Sequence, residues 1–318
     1  MAKDKKAKQF RTSIGGQALI EGVMMRGPKK QAIVVRTKEG FVTKCDDLKL
    51  PKDKYPILGF PLIRGVVNFV SMLSVGMKSL TFSAEQFMDE EEEGGEEPSK
   101  LEKWINEKFG AEKAEKALIA FSVVIGVALS VGLFILLPTV LAGFLSGVVE
   151  NGIVRSLVEG VMRIAIFVAY LWLAMRLNDI KRVWAYHGAE HKAIYCYEKG
   201  LELTVANTRE QSRLHPRCGT SFIFIVLMIS ILVFSFLSWS NVWLRIGMRL
   251  LLLPVVVAIS YEIIKLAGKY DNILTRIISA PGKAMQRLTT REPDDDMIET
   301  AVEALKMVIP EKEEEAEW

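Results

Sequence analysis

From Ala117 to Val149 the chain carries no charged residue. A helix needs about 20 apolar residues to cross the hydrocarbon core of a bilayer, so this run spans with length to spare. Pro138 lies inside it and either kinks the helix or ends its regular part. A second uncharged run reaches from Cys218 to Leu244, centred on "FIFIVLMISILVFSFL". Two further apolar segments flank these: "VMRIAIFVAYLWLAMRL" (161–177), bounded by Arg163 and Arg176, and "WLRIGMRLLLLPVVVAISYEIIKLAG" (243–268), with Arg245, Arg249 and Glu262. Arginines near the end of a span can extend their heads to the interface, so they exclude neither segment. The expected fold class is an α-helical integral membrane protein with about four transmembrane helices in two hairpins, 117–177 and 220–268.

Loop charge orients these spans. The segment 178–219 carries Lys181, Arg182, Lys192, Lys199, Arg209, Arg213 and Arg217, whereas 146–152 and 239–242 carry no basic residue. The positive-inside rule then places 178–219 and both termini in the cytoplasm. The stretch 57–88 is apolar but interrupted by Arg64, Asn68 and Lys78. Were it to span, the basic N-terminal tail would move outside, so an interfacial or re-entrant amphipathic helix is expected there.

The remaining composition agrees. Half of the 318 residues are hydrophobic while a quarter are charged, and the mean hydropathy is +0.22. Such a mixture suits spans joined by sizeable aqueous parts. A net charge of only +3 makes no demand for nucleic acid. The three cysteines, Cys45, Cys196 and Cys218, are too few and of the wrong parity for a disulfide framework, and suit a reducing compartment. The basic start (Lys3, Lys5, Lys6, Lys8, Arg11) is not followed by an apolar segment of the kind a secretory signal needs, and reads as a cytosolic tail.

Residues 1–56 are expected to form a small β-rich cytosolic part. "QAIVVRT" and "GFVTKC", separated by "KEG", read as a hairpin with Gly40 in the turn. The preceding "IGGQALIEGVMMRGP" is rich in glycine, which marks backbone that bends or closely approaches something. It reads as a small sheet with glycine bulges, or as a backbone surface against a site with Glu21 and Arg26 as its polar groups. It lacks the G-K-[ST] of a phosphate loop. "DEEEEGGEEPSK" (89–100) reads as an acidic linker, followed by a short amphipathic helix. In 269–318, "DDDMIETAVEALKMVI" places Ile298, Val302, Leu305 and Ile309 at helical spacing behind capping aspartates, as cytosolic C-terminal helices.

The chemistry concentrates in "YHGAEHKAIYCYE" (186–198) and "RLHPRCGTSF" (213–222). His187 and His191 stand at i and i+4, on one face of a helix about 5–6 Å apart at Cβ. The third of the chain's three histidines, His215, lies three residues before Cys218. The pattern H-x3-H-x23-H-x2-C predicts a metal site, with zinc favoured by its nitrogen and sulfur ligands and another divalent ion as the alternative. Glu190 occupies the acid position of H-x-x-E-H, the order of inverted zinc peptidases. Four protein ligands would close a structural site; three would leave a position for water, with Glu190 as general base. Glu198, Glu202 and Glu262 are more remote candidate ligands. His187 lies about ten residues, or about 15 Å of helix, beyond the second span, and Cys218 adjoins the third. One ion would thus join two helix ends at the cytosolic membrane surface.

"GGQALIEGVMMRGP", "YHGAEHKAIYCYE", "HPRCGTSF" and "QRLTTREPDDDMIE" together resemble a bacterial family, the YqhQ-like family, catalogued as domain of unknown function 1385. The resemblance covers nearly the whole chain. It implies a metal-dependent enzyme of the cytoplasmic membrane, with His187, Glu190, His191, His215 and Cys218 at motif positions, as well as Gly15, Gly16, Glu21 and Arg26. That description rests on the same histidine pattern and adds no separate support for catalysis.

Two functions follow. One is a membrane-embedded, metal-dependent hydrolase of a membrane-associated peptide or lipid-linked substrate. The other is a non-enzymatic scaffold or assembly factor whose His3Cys zinc is structural. Arg155, Glu159 and Arg163, at i, i+4 and i+8, together with Arg245 and Arg249, are expected as salt bridges and lipid contacts at span ends. Arg217 and Glu262 are further candidate polar site residues, Glu262 pairing with Arg176 or facing the cytosolic site. A transporter would need Glu262 and these arginines to line a water-filled path. Four spans could do that only as a homo-oligomer, and no internal repeat supports it. The expected partners are the lipid bilayer and a membrane-bound substrate or protein.

Overall fold

The computed structural model describes residues 10–92, 111–144, 149, 151–236, 241–270 and 272–317. Four strands come first: β1 (Gly15–Leu19), β2 (Gly22–Arg26), β3 (Lys30–Thr37) and β4 (Gly40–Asp47). Helices follow: α1 (Pro51–Lys54), α2 (Ile63–Glu92), α3 (Ala111–Val131), a π-helical turn (Gly132–Leu136), α4 (Leu137–Phe144), α5 (Gly152–Ala174) and α6 (Asn178–Glu198). The last are α7 (Val205–Arg209), α8 (Gly219–Ser235), α9 (Val242–Lys269), α10 (Ile273–Thr289) and α11 (Asp295–Lys306). The chain divides into two compact units, Met1–Met88 with Leu171–Ile229 and Pro254–Trp318, and Asp89–Tyr170 with Ser230–Leu253.

In the first unit the strands form an antiparallel meander in the order β1-β2-β3-β4. Side chains along a strand alternate between faces, and here both faces of the central strands are covered. Val23, Met25, Ala32 and Val34 join Ala185, Tyr186, Ala189, Ala193 and Ile194 of α6 and Ile298, Val302 and Leu305 of α11 in one apolar core. Leu19, Met24, Ile33 and Val35 point the other way and meet Val75, Leu80 and Phe82 of α2. The apolar stripe of α11 thus finds its partner surface on the sheet and α6. Asp294 caps this helix, its carboxylate accepting from the Met297 N–H at 2.9 Å.

The glycine-rich segment pairs without a bulge, from Gly15 opposite Arg26 to Leu19 opposite Gly22. Its turn puts Glu21 at φ +49°, a region that residues with a Cβ seldom enter. The Arg36 N–H donates to the Glu21 carbonyl at 2.8 Å, and Arg182 and Tyr186 hold its carboxylate. The second hairpin closes with Gly40 at φ +129°.

Among the described residues, four helices are long and apolar enough to cross a membrane: Ile63–Gln86, Ala120–Phe144, Gly152–Ala174 and Trp243–Lys269. This set differs from the expected one in two places. The stretch around 57–88, expected as an interfacial or re-entrant helix, contains one continuous helix of 30 residues, α2. Its apolar window has a mean hydropathy of 1.2, against 2.7 for Ala120–Phe144, since polar residues such as Asn68 and Lys78 interrupt it. The run Cys218–Leu244, expected to span, gives a helix of 17 residues, α8; residues 237–240 fall outside the described residues. The expected acidic linker is helical through Glu92, and from residue 93 it too lies outside them, as does the start of the expected amphipathic helix at 100–118.

In the second unit, α3 runs through the π turn into α4. Pro138 has no N–H to offer the carbonyl four residues earlier. That carbonyl, of Phe134, is taken instead by the Arg163 Nε at 2.8 Å. Glu159, 1% exposed, accepts from Thr139 at 2.7 Å, from Arg163 at 3.1 Å and from Arg249 at 2.8 Å. These charges form the ion pairs expected of them, Glu159 with Arg163 and with Arg249.

Candidate metal centre

α6 carries most of the site. His187 and His191, four residues apart, face the same way with ring centroids 4.4 Å apart. Gly200, at φ +65°, stands just past the helix end, where a left-handed residue commonly closes a helix. The other contributor is the start of α8, where Cys218 precedes the first turn and its sulfur accepts the Thr220 N–H at 3.4 Å. The reactive atoms of His187, His191 and Cys218 all lie within 4.8 Å of one another. Ligands around a tetrahedral zinc, at about 2.0–2.3 Å from the ion, sit about 3.3–3.8 Å apart, so small side-chain rotations bring the three onto one ion.

The hydrogen bonds aim the imidazoles. His187 Nδ1 meets the Thr289 carbonyl at 2.8 Å and His191 Nδ1 meets the Arg213 carbonyl at 2.5 Å. A carbonyl can only accept, so each Nδ1 carries a proton and Nε2 is the nitrogen left to face the shared space. Metal-binding histidines are held in this way. His187 Nε2 points at Cys218 Sγ, 3.1 Å away. His191 Nε2 is buried with no hydrogen-bond partner among the described residues, a costly arrangement for an imidazole unless something else takes the lone pair.

Electrostatics adds to this. Burial pushes the Cys218 thiol up, but His187 and His191 pull it well below the ordinary thiol range. Burial pulls His187 down, yet the Cys218 charge and hydrogen bond, with help from Glu190, lift it to about 9. Thiolate and imidazole therefore compete for one proton; deprotonated, both would be free to serve as ligands.

Glu190 is 5% exposed and stands beside the three ligands without joining their cluster. Burial pushes its carboxyl up, His191 and His187 pull it back, and the Gly16 N–H donates to it. A Cβ on Gly16 would lie 2.5 Å from the Met24 carbonyl and 3.1 Å from the Glu190 carboxyl carbon. That is the close approach the glycine-rich segment makes possible. Gly188 serves in the same way on the other side, since a Cβ there would lie 2.1 Å from the Arg291 carbonyl. It lets the chain after α10, which brings the Thr289 carbonyl, lie against α6.

His215, expected as a fourth ligand, stands outside the group. Its Nε2 faces the Glu198 carboxylate at 3.5 Å, and Arg217 pairs with that same carboxylate. Glu198 also accepts the Thr12 N–H at 2.8 Å. The backbone around His215 is pinned by Gln286, which accepts its N–H at 2.7 Å and donates to its carbonyl at 2.6 Å. Burial lowers His215 to about 4 although Glu198 resists. Burial raises Glu198, but the hydrogen bond from His215 and the charge of Arg217 leave it below its ordinary value. The His215 ring lies 5.6 Å from that of His191, so it packs behind the ligands.

The other candidate residues are dispersed. Glu21 holds the first hairpin to α6 through Arg182. Arg26 lines a cavity of about 250 Å³ against α2. Glu262 pairs with Arg64 rather than Arg176, and Arg176 stacks on Trp172. Sequence reasoning assigned no role to Thr289, Gln286 or the Arg213 carbonyl. The first two lie in "QRLTTREPDDDMIE", whose singling-out was the only available signal.

The family model for a protein of unknown function, DUF1385, matches residues 60–311. The chain is 33% identical over 301 residues to Uncharacterized protein YqhQ of Bacillus subtilis (strain 168), covering 93% of this chain and 92% of that one. No solved structure matches. With most of its length matched on both counts, the chain belongs to the DUF1385 family, that of YqhQ.

Proposed function

We propose that this is a multi-pass protein of the bacterial cytoplasmic membrane, with both termini cytoplasmic and a zinc site at the cytosolic membrane surface. His187, His191 and Cys218 hold the ion, and Glu190 transfers protons in the hydrolysis of a membrane-associated peptide or lipid-linked substrate. The observation that carries this reading is the unpartnered, buried Nε2 of His191, aimed at the same space as His187 Nε2 and Cys218 Sγ. Zinc bound by three protein ligands supplies a Lewis acid and lowers the pKa of a bound water. The Thr289 and Arg213 carbonyls keep both imidazoles in the required tautomer, and the Thr220 N–H steadies the sulfur. Glu190, free of ligand duty and held by the Gly16 N–H, takes the proton and returns it.

A parity argument supports the membrane arrangement. The sheet shares a core with α6 and α11, so all three lie on one side. Between the sheet and α6 the chain must then cross an even number of times, yet it holds three candidates: α2, α3 with α4, and α5. The one that stays is α2, whose second half lies on the sheet and whose Ser83 hydroxyl donates to the Ile20 carbonyl. Between α6 and α11 come α8 and α9, again an even number. α8 then counts as a span although its 17 residues cover only about 25 Å. The basic segment 178–219 puts the shared side in the cytosol.

The second reading keeps the ion and drops the chemistry. Two of the three ligands, His191 and Cys218, are buried, and together the three tie α6 to the start of α8, as a structural clamp would. One series of variants separates the readings. His191→Ala and Cys218→Ser lower bound zinc at least tenfold in the detergent-purified protein, measured by elemental mass spectrometry. Glu190→Gln keeps the zinc and the thermal midpoint but fails to complement a deletion strain. Complementation by Glu190→Gln leaves the clamp; absence of any stoichiometric metal in the unmodified protein removes both readings.

A further inference from the structure

We infer that the cavity where the start of α2 meets the end of α9 binds the phosphate of an anionic phospholipid headgroup. This rests on the membrane reading above. The cavity has a volume of about 240 Å³ and is lined by Lys52, Arg64 and Lys265, together with Asn68 and Tyr261. Three basic side chains line it, and among the described residues no carboxylate does. The volume falls below the roughly 300–1,000 Å³ typical of drug-sized ligands, which suits a headgroup phosphate better than a whole small molecule.

The donors are already in place. Arg64 gives Nε and Nη2 to Glu262, which leaves Nη1 without a partner among the described residues. Asn68 Nδ2 donates to the Tyr261 hydroxyl at 2.7 Å, so the tyrosine O–H is available to donate onward. Glu262 also accepts the Leu62 N–H at 3.3 Å and so holds Leu62 at φ +70°, a conformation leucine seldom adopts. A Cβ on Gly65 would lie 2.9 Å from Tyr261 Cβ and 3.0 Å from Ala258 Cα, so α2 and α9 are in backbone contact here.

The rim explains why the ligand is a lipid. Tyr55, Ile57, Phe60 and Leu62 are 54%, 61%, 61% and 51% exposed, and Leu58 and Gly59 between them line the cavity. The outer face of α2 continues this surface with exposed Ile63, Val70, Leu73 and Met77, whose spacings of seven, three and four residues keep them on one helix face. A helix with such a face, beside lysine and arginine, lies in the membrane interface with its apolar side in the acyl region. Lys52, Arg64 and Lys265 then stand at the depth of the phosphates.

The test uses the full chain in nanodiscs of phosphatidylcholine alone or mixed with phosphatidylglycerol, read by native mass spectrometry of retained lipid and by thermal midpoint. The unmodified protein retains phosphatidylglycerol over phosphatidylcholine by at least about fivefold and melts higher in the mixed discs. The double variant Lys52→Gln, Lys265→Gln loses that preference and that gain while keeping its zinc. The control Lys181→Gln, Lys306→Gln, with the same loss of charge elsewhere, retains both. Equal retention by the unmodified protein and the pocket variant overturns the proposal. So does millimolar inorganic phosphate in pure phosphatidylcholine discs raising the midpoint as much, since the ligand is then free phosphate. The membrane reading fails by a different result, recovery of the chain from cells in a high-salt supernatant without detergent.

Discussion

At the scale of residues, the centre is a set of side chains whose protons are fixed by backbone carbonyls. His187 and His191 were legible as a pair because i, i+4 spacing on a helix leaves little freedom. Cys218 was legible through its H-x2-C spacing from the third histidine. The role of His215 was not: an imidazole at knuckle spacing can bind metal or satisfy a buried carboxylate, and Glu198 decides that here. Nor were the anchors legible, because a carbonyl such as that of Thr289 has no side-chain signature. The His215–Glu198 pair predicts a pH response. Burial holds His215 at about 4 in the folded chain, against about 6.5 unfolded. The unfolded state therefore binds the proton first, and stability rises with pH across that window. The contribution is complete above about pH 6.5 and is lost as pH falls toward 4. Depressed Glu198 acts in the same sense at still lower pH, since its share is present above its unfolded value of about 4.3 and is lost below it. The thermal midpoint of the unmodified protein falls between pH 6.5 and 4.5, and the fall is shallower in His215→Gln.

At the scale of elements, the long uncharged runs and the 3.6-residue stripe of α11 were readable because burial demands a period or a length. The second half of α2 was not readable as a lid on a sheet. Its apolar residues look alike whether a bilayer or Met24 and Ile33 cover them, and only the fold distinguishes the two. α11 matters more than its 12 residues suggest, since it closes the core against the sheet and α6. Its cap is a single carboxylate, Asp294, on the Met297 N–H. Asp294→Ala should cost about 1 kcal/mol and lower the thermal midpoint by about 2–4 °C, with the zinc content unchanged.

At the scale of the whole molecule, the reading with four crossings makes a claim about sides. Of the three free cysteines only Cys45 is exposed, and it lies on the edge strand β4. A membrane-impermeant maleimide should label it in inverted vesicles and leave it unlabelled in intact spheroplasts. In a Cys45→Ala background, Glu85→Cys near the far end of α2 should show the same protection. Labelling of that cysteine from outside would mean that α2 crosses and that the parity argument is wrong.

The core shared by β2, β3, α6 and α11 draws on both ends of the chain, and that bears on biosynthesis. That face of the strands made first meets α6 once residues 185–194 are made, but it is not closed until residues 297–305 leave the ribosome. At about 5–20 residues per second, the roughly 260 intervening residues take about 13–50 s. On the proposed membrane reading, the spans insert during that interval while the nascent sheet waits only partly covered. The Thr289 carbonyl arrives only near the end of the same interval, so the hydrogen bond that orients His187 is among the last parts of the candidate centre to form.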